Sequence, residues 1–216
     1  MRIDIYSDTV CPWCYLGKRR FDLALAARPQ YEPVVTWRPF ELNPDLPFDG
    51  LDRETFMAAR MPDQAQLAQA HAELERQGEA SGIHFRFDLI KRIPNTRRSH
   101  LLIAYAARSG LQGPVNDRIM RAYFEEGCDI ADPDELVRLG AEAGLPAAQA
   151  RNILILRAGQ DGVVAAERHA SVLGITGVPA YVFDGQYTIS GAQDVGVFAR
   201  VFDQVVDFAA ARGVAR

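Results

Sequence analysis

The chain has 216 residues, 48% hydrophobic and 24% charged, the make-up of one large globular domain or of a core fold carrying an insertion. Disordered, collagen-like and low-complexity classes are excluded. With 24 basic residues against 28 acidic ones the net charge is −4, so the basic footprint of a dedicated nucleic-acid binder is missing.

No apolar run approaches the ~18 residues of a membrane span, and three cysteines are too few for a secreted disulfide framework. Residues 2–6 read as a strand; the acid Asp4 interrupts any signal-peptide core, and the expectation is a cytoplasmic protein. Pro12 suits the first position of a helix that continues through Leu16, Phe21, Leu23 and Leu25 to about residue 27. A second strand is predicted over 34–42 from its β-branched and aromatic residues, with Pro39 marking a bend or an edge because it has no N–H to donate. Asn43-Pro44-Asp45-Leu46-Pro47 then breaks the pattern.

From 51 to 159 the sequence predicts helices only. Leu67, Ala70, His71 and Leu74 recur at helical spacing, as do Leu101, Leu102, Tyr105 and Ala106, and Ile119, Met120, Tyr123 and Phe124. Breaks such as Pro62, Gly110 and Pro133 separate them, and no fixed repeat is present. A helix over 161–173 follows. Residues 180–183 and 187–189 then flank Asp184-Gly185, a hairpin signal. Ser190-Gly191-Ala192-Gln193 has capping-box spacing, ahead of a closing helix faced by Phe198, Val201, Phe202, Val205 and Phe208. The expected organisation is β-α-β and α-β-β-α in residues 1–50 and 160–216, around a helical insertion of 51–159.

Chemistry concentrates in Cys11-Pro12-Trp13-Cys14, where the first strand hands over to the first helix. As N-cap, Cys11 would face the unpaired amides and positive end of the helix, which stabilise a nucleophilic thiolate. Cys14, one turn in and more buried, suits the resolving role. The other reading, half of a zinc site, needs two further ligands, and only Cys128 and four scattered histidines are on offer. A second signal is Gly174-Ile175-Thr176-Gly177-Val178-Pro179-Ala180, a glycine-rich turn into a strand. A proline there is ordinarily a turn residue, since X-Pro bonds are cis in only about 5–6% of folded cases.

Together, Cys-x-x-Cys after the first strand and Gly177-Val178-Pro179 before a hairpin resemble the thioredoxin fold, and the helical insertion resembles the DsbA family. Ser7-Asp8-Thr9-Val10 ahead of the motif, Arg38-Pro39-Phe40-Glu41-Leu42-Asn43-Pro44, Pro94-Asn95-Thr96 with Ser99-His100, and Tyr123-Phe124 resemble its FrnE-like cytoplasmic branch. That branch is related to 2-hydroxychromene-2-carboxylate isomerases and kappa-class glutathione transferases. The resemblance implies an α/β thioredoxin fold with an all-helical insertion domain, and protein-disulfide oxidoreductase activity in which Cys11 attacks and Cys14 resolves. It implies a cis Pro179 against the pair, with Val178 offering backbone hydrogen bonds to a substrate strand, and an Asn95–Thr96 loop overhanging the cleft. Pro12 and Trp13 would shape the rim. No metal or cofactor beyond the redox-active disulfide is expected, with glutathione as a possible redox partner. The expected partners are a thiol or disulfide of a protein or small molecule, with neither nucleic acid nor membrane, for a monomer or homodimer.

Two other functions fit parts of the pattern. One is a glutathione-dependent isomerase or transferase for a small aromatic or polyketide-like molecule, although those relatives carry serine in place of the first cysteine. The other is a redox-independent holdase using an apolar cleft. One position departs from thioredoxins, which keep a buried acid six residues before the first cysteine; here it is Ile5. A proton acceptor for Cys14 must then come from Asp8, Glu41 or water, and both acids read first as exposed or capping carboxylates. Cys128 reads as a small residue rather than a third redox thiol. His84 and His100 read as core or capping histidines, Asn95 and Thr96 as an N-cap, and Met57, Met61 and Met120 as core filler. Lys18-Arg19-Arg20 and Arg97-Arg98 read as solvated faces.

Overall fold

Ile3, Ile5 and Ser7 alternate with Asp4 and Tyr6 along the first strand, so its two faces carry different parts of the core. The computed structural model describes residues 1–61 and 63–211; Pro62 and residues 212–216 lie outside it. In it β1 (Arg2–Ser7) is an inner strand. Parallel to it runs β2 (Val34–Pro39), from Arg2↔Val34 to Ser7↔Pro39, and on its other side β5 (Ala180–Phe183) runs antiparallel, from Ile3↔Phe183 to Tyr6↔Ala180. β6 (Tyr187–Ser190) completes a four-stranded sheet of order β2-β1-β5-β6. Asp184 and Gly185 turn between the last two with φ of 49° and 69°, the positive values a primed hairpin turn requires. β2 is an edge strand and stops at Pro39, short of the predicted residue 42.

Helix α1 (Pro12–Ala26) and helix α9 (Val195–Ala211) cover one face, through Phe21, Tyr181, Phe198 and Phe202 with ring centroids 4.8–5.7 Å apart. Helix α8 (Gln160–Val172) serves the other face, where Ala170 joins Tyr6, Ala180 and Val182. The predicted capping box at Ser190 does not form. Residues 190–193 make a turn in which the Gln193 side-chain amide donates to the Ser190 carbonyl, and the Asp194 carbonyl accepts the amides of Val197 and Phe198 at the start of α9. Phe208 is half-exposed, stacked on Tyr187 rather than buried with Phe198, Phe202 and Val205, and Val201 is partly buried.

The segment between β2 and α8 is not purely helical. β3 (Leu51–Asp52) and β4 (Arg92–Ile93) form a two-stranded ribbon outside the main sheet. The helices are α2 (Arg53–Arg60), α3 (Gln64–Glu79), α4 (Arg97–Ala106), α5 (Gln112–Glu126), α6 (Pro133–Glu142) and α7 (Ala147–Leu156). Residues 81–88 form two turns joined by an irregular stretch, burying Ile83, Phe85 and Phe87 and exposing the residues between. That alternation is visible in the sequence, but the helical reading absorbed it. Phe85 and Phe124 meet Tyr15 of α1 at centroid distances of 5.9 and 5.8 Å, so insertion and sheet share one apolar core. Met57 and Met61 are only partly buried; of the three methionines expected in the core, Met120 alone is there.

Arg19 is exposed, as a solvated face would have it, but the other basic residues of the two clusters are buried or partly buried ties. Lys18 is buried between Asp22 (2.6 Å) and Asp117 (2.9 Å), Arg20 donates to the Ala192 carbonyl, and Arg98 donates to the Ala131 carbonyl.

Gly17 lets α1 approach β5. A Cβ there would lie 2.5 Å from the Tyr181 hydroxyl and 3.1 Å from Pro179 Cγ. Gly17→Ala should therefore destabilise by about 1–3 kcal/mol through overpacking, despite alanine's better helix propensity. Gly162, exposed in α8 with open space around its Cβ position, should gain about 0.5–1 kcal/mol from the same change. Thermal melts of the two variants check this: opposite signs are expected, and equal shifts would show that the contact is slack.

Candidate active site

The end of β1 and the start of α1 are joined by a tight turn in which the Cys11 amide donates to the Asp8 carbonyl at 3.1 Å. Pro12 takes the first helical position, and Cys11 is the N-cap, with extended backbone and a side chain that caps nothing. Its sulfur instead faces the glycine-rich turn from the far end of the chain, at 3.7 Å from the Val178 carbonyl oxygen. The Val178–Pro179 peptide is cis. Cys11, Val178 and Pro179 thus converge from positions more than 160 residues apart, as the resemblance implies.

Both thiols of the motif are unbonded. Cys11 is 4% exposed and Cys14 1%, so the expected contrast in exposure is slight. The chemical contrast is larger. Burial pushes the Cys14 thiol well above its ordinary range, helped by its hydrogen bond to Cys11 and by the charge there, while the Asp8 backbone and the Ser7 hydroxyl oppose the rise. Cys14 therefore keeps its proton. Trp13 is 41% exposed, and Pro179 and Ala180 are buried.

Asp8 and Glu41 are not exposed carboxylates. Asp8 is fully buried, accepts the Leu42 amide at 2.7 Å and meets His100 Nε2 at 3.3 Å. Glu41, with its side chain 1% exposed, pairs with Arg97 through both oxygens. Each acid belongs to a strand exit of the sheet and finds its partner on α4. Glu167 of α8 faces the same group; burial first, then the Glu41 charge, raises its carboxyl above the ordinary value. Thr9 and Ser99 join across the same interface at 2.8 Å.

His100 is a core histidine, as read, and His84 is exposed. Asn95 and Thr96 are both buried at the start of α4. The Asn95 oxygen accepts the Arg97 amide at 3.0 Å and its amide donates to the Leu46 carbonyl at 2.9 Å, which pins segment 43–47. Thr96 is the N-cap position, but its side chain does not cap. Cys128 is half-buried on the insertion. Burial, and then the Glu135 carboxylate, push its thiol up to about 11, so it stays protonated at neutral pH. Among the described residues no three His, Cys, Asp or Glu side chains gather as a metal site would require.

Sequence reasoning singled out neither Ser7, Ser99 nor Asn116 as site residues, yet all three are buried beside the motif or the histidine under it. The available signal was a run of small polar residues, Ser7-Asp8-Thr9 and Ser99-His100, in apolar surroundings.

Comparison with known proteins supports this geometry. The DSBA-like thioredoxin domain model matches residues 2–203. The uncharacterized protein YwbO of Bacillus subtilis is 30% identical over 201 residues, covering 93% of this chain and 94% of that one. The structure of a probable DsbA oxidoreductase, SCO1869 from Streptomyces coelicolor, superposes with a TM-score of 0.87 at 37% identity, over 96% of this chain and 90% of that one. A cytosolic disulfide reductase, DsbM of Pseudomonas aeruginosa with GSH, shares the fold at a TM-score of 0.65 and 19% identity, over 98% of each chain. A cysteine pair at the mouth of a thioredoxin sheet, a cis-proline turn beside it and a match over nearly the full length lead to one assignment: the chain belongs to the DSBA-like thioredoxin domain family of thiol–disulfide oxidoreductases.

Proposed function

We propose that the chain exchanges disulfides through the Cys11–Cys14 pair, with Cys11 as nucleophile and Cys14 as resolving thiol. The observation that carries this is the arrangement at the N-terminus of α1. Cys11 presents its sulfur to the Val178–Pro179 turn, and Cys14 holds its proton one turn below. In the reducing direction, the Cys11 thiolate attacks one sulfur of a substrate disulfide, and the other sulfur leaves and takes a proton. Cys14 then loses its proton and attacks Cys11, which breaks the mixed disulfide. The substrate departs as a dithiol, two electrons richer, and the Cys11–Cys14 disulfide remains. Oxidation of a substrate runs the same steps backwards.

Val178, half-buried at the mouth, is placed to pair with an extended segment of substrate, and Pro12 and Trp13 border the groove. This chemistry needs no metal or nucleotide. The GSH in the name of the DsbM structure supports glutathione as the redox partner, and the cytosolic setting of that protein supports a cytoplasmic one here. Protein or small-molecule disulfides are the substrates of this reading.

Two measurements test it. Iodoacetamide labelling of single-cysteine variants against pH should show Cys11 reacting first, and Cys128 reacting appreciably only toward its value of about 11. Cys14 labelling faster than Cys11 near neutral pH would exchange their roles. Cys14→Ala, expressed in cells, should accumulate mixed disulfides at Cys11 that mass spectrometry identifies. A Cys11→Ser/Cys14→Ser protein that still turned over its substrate would point instead to the isomerase or holdase reading.

A further inference from the structure

Helix α8 leads into the glycine-rich turn of Val178 and Pro179, yet it buries only Val163 and Ala170. Its outer side shows Asp161, Ala165, Arg168 and Val172, all exposed and spaced by four, three and four residues, the row that one side of a helix presents. His169 is exposed beside them. Among the described residues, the three most exposed large apolar side chains lie in this row or next to it. They are Ile155 (67%) and Leu156 (73%) just before α8, and Val172 (83%) in its last turn; Leu173 follows, half-exposed. Apolar groups gathered in water on one face mark a contact surface.

The charges of the row are unpaired as well. Among the described residues, the side chains of Asp161, Arg168 and His169 make no hydrogen bond or ion pair. Asp161 and Arg168 are two turns apart, beyond the three- and four-residue spacings at which helical side chains meet.

The row is complementary to a reversed copy of itself. With a second α8 lying antiparallel and Ala165 facing Ala165, each residue meets the one equally far on the other side of that centre. Asp161, four residues before Ala165, then falls opposite His169, four after it, and beside Arg168. Val172, seven after, falls opposite Ala158, next to Leu156, and Leu173 reaches the same segment. The small Ala165 at the crossing lets the two axes come close. A parallel pair would instead set Asp161 against Asp161 and Arg168 against Arg168. A lipid surface would cover the apolar ends but leave Asp161 unpaired at the middle of the contact.

We propose that the outer face of α8, with Ile155 and Leu156 before it and Leu173 after it, is a two-fold interface between two copies of this chain, the helices running antiparallel across Ala165. Each Asp161 pairs with Arg168 and His169 of the other copy, and Val172 and Leu173 of each pack on Ile155 and Leu156 of the other. Such an interface uses the same patch on both copies, so assembly stops at the dimer. A contact confined to one helix of 13 residues and its flanks is small, which makes the dimer concentration-dependent rather than obligate. Because α8 runs toward the Val178–Pro179 turn, the two cysteine pairs lie at opposite ends of the contact. The interface does not depend on the dithiol reading.

Sedimentation velocity of the full chain, from about 1 μM to 1 mM, should show monomer passing to dimer. Val172→Glu should weaken dimerisation by about tenfold or more. Charge reversals test the geometry. Asp161→Arg and Arg168→Asp each set like charges across the axis, so each variant should lose the dimer. An equimolar mixture of the two should dimerise again, because opposite charges then face each other on both sides of the axis, and the double variant should do the same. A second measurement is independent of charge. In a Cys11→Ser/Cys14→Ser/Cys128→Ser background, Ala165→Cys should link two chains by a disulfide when air and copper phenanthroline oxidise the thiols. Monomer throughout the concentration range would overturn the proposal. So would a dimer that ignores Val172→Glu and both reversals, or reversals that mixing does not rescue. Binding of the monomer to phosphatidylcholine vesicles, lost in Val172→Glu, would give the face to a membrane and overturn it too.

Discussion

A carboxylate shut away from water has to be hydrogen-bonded from within the protein, and Asp8 is such a group at the turn that presents the cysteine pair. One of its oxygens takes the backbone amide of Leu42, just past β2, and the other meets His100 on α4. The first partner belongs to the thioredoxin sheet and the second to the inserted helices. The turn before Cys11 is therefore set by both parts of the molecule. Glu41 repeats the pattern one strand away, with Arg97 as its partner on the same helix. Removing α4 would strand two buried charges, each worth several kcal/mol of desolvation.

Apolar packing reinforces that dependence. Tyr15 follows the second cysteine in α1, and its ring is stacked on Phe124 and flanked edge-on by Phe85. Phe21, one and a half turns later, faces the other way, into Tyr181, Phe198 and Phe202. A single helix thus anchors in two clusters of aromatics, one in the insertion and one over the sheet. The N-terminus of α1, where the thiols sit, is held from both sides.

That rigidity matters for the chemistry because the three thiols differ by surroundings rather than by type. Cys11 meets a backbone carbonyl at the mouth of the groove, Cys14 is held protonated below it, and Cys128 lies among the carboxylates of Glu126 and Glu135. Depth and neighbouring charge set the three thiols apart.

Local patterns are what the sequence by itself determined. The spacing of Cys11 and Cys14 after an alternating strand, Asp184-Gly185 between two β-rich runs, and the helical recurrence of Ile119, Met120, Tyr123 and Phe124 each express backbone preferences a few residues long. The motif, the hairpin and most helices were legible for that reason. The ribbon of β3 and β4 and the alternating burial of Ile83, Phe85 and Phe87 were not, because two-residue strands exist only through their partners and short alternation competes with flanking helical spacing. The charged residues were misjudged for the same reason. Asp8, Glu41 and Lys18 look like surface groups in any local window, and partners distant in sequence, His100, Arg97 and Asp117, accompany their burial. The meeting of Cys11 with Val178, and of Ser7 with His100 and Asn116, was likewise decided by tertiary structure, since contacts across such separations depend on how the whole chain closes on itself.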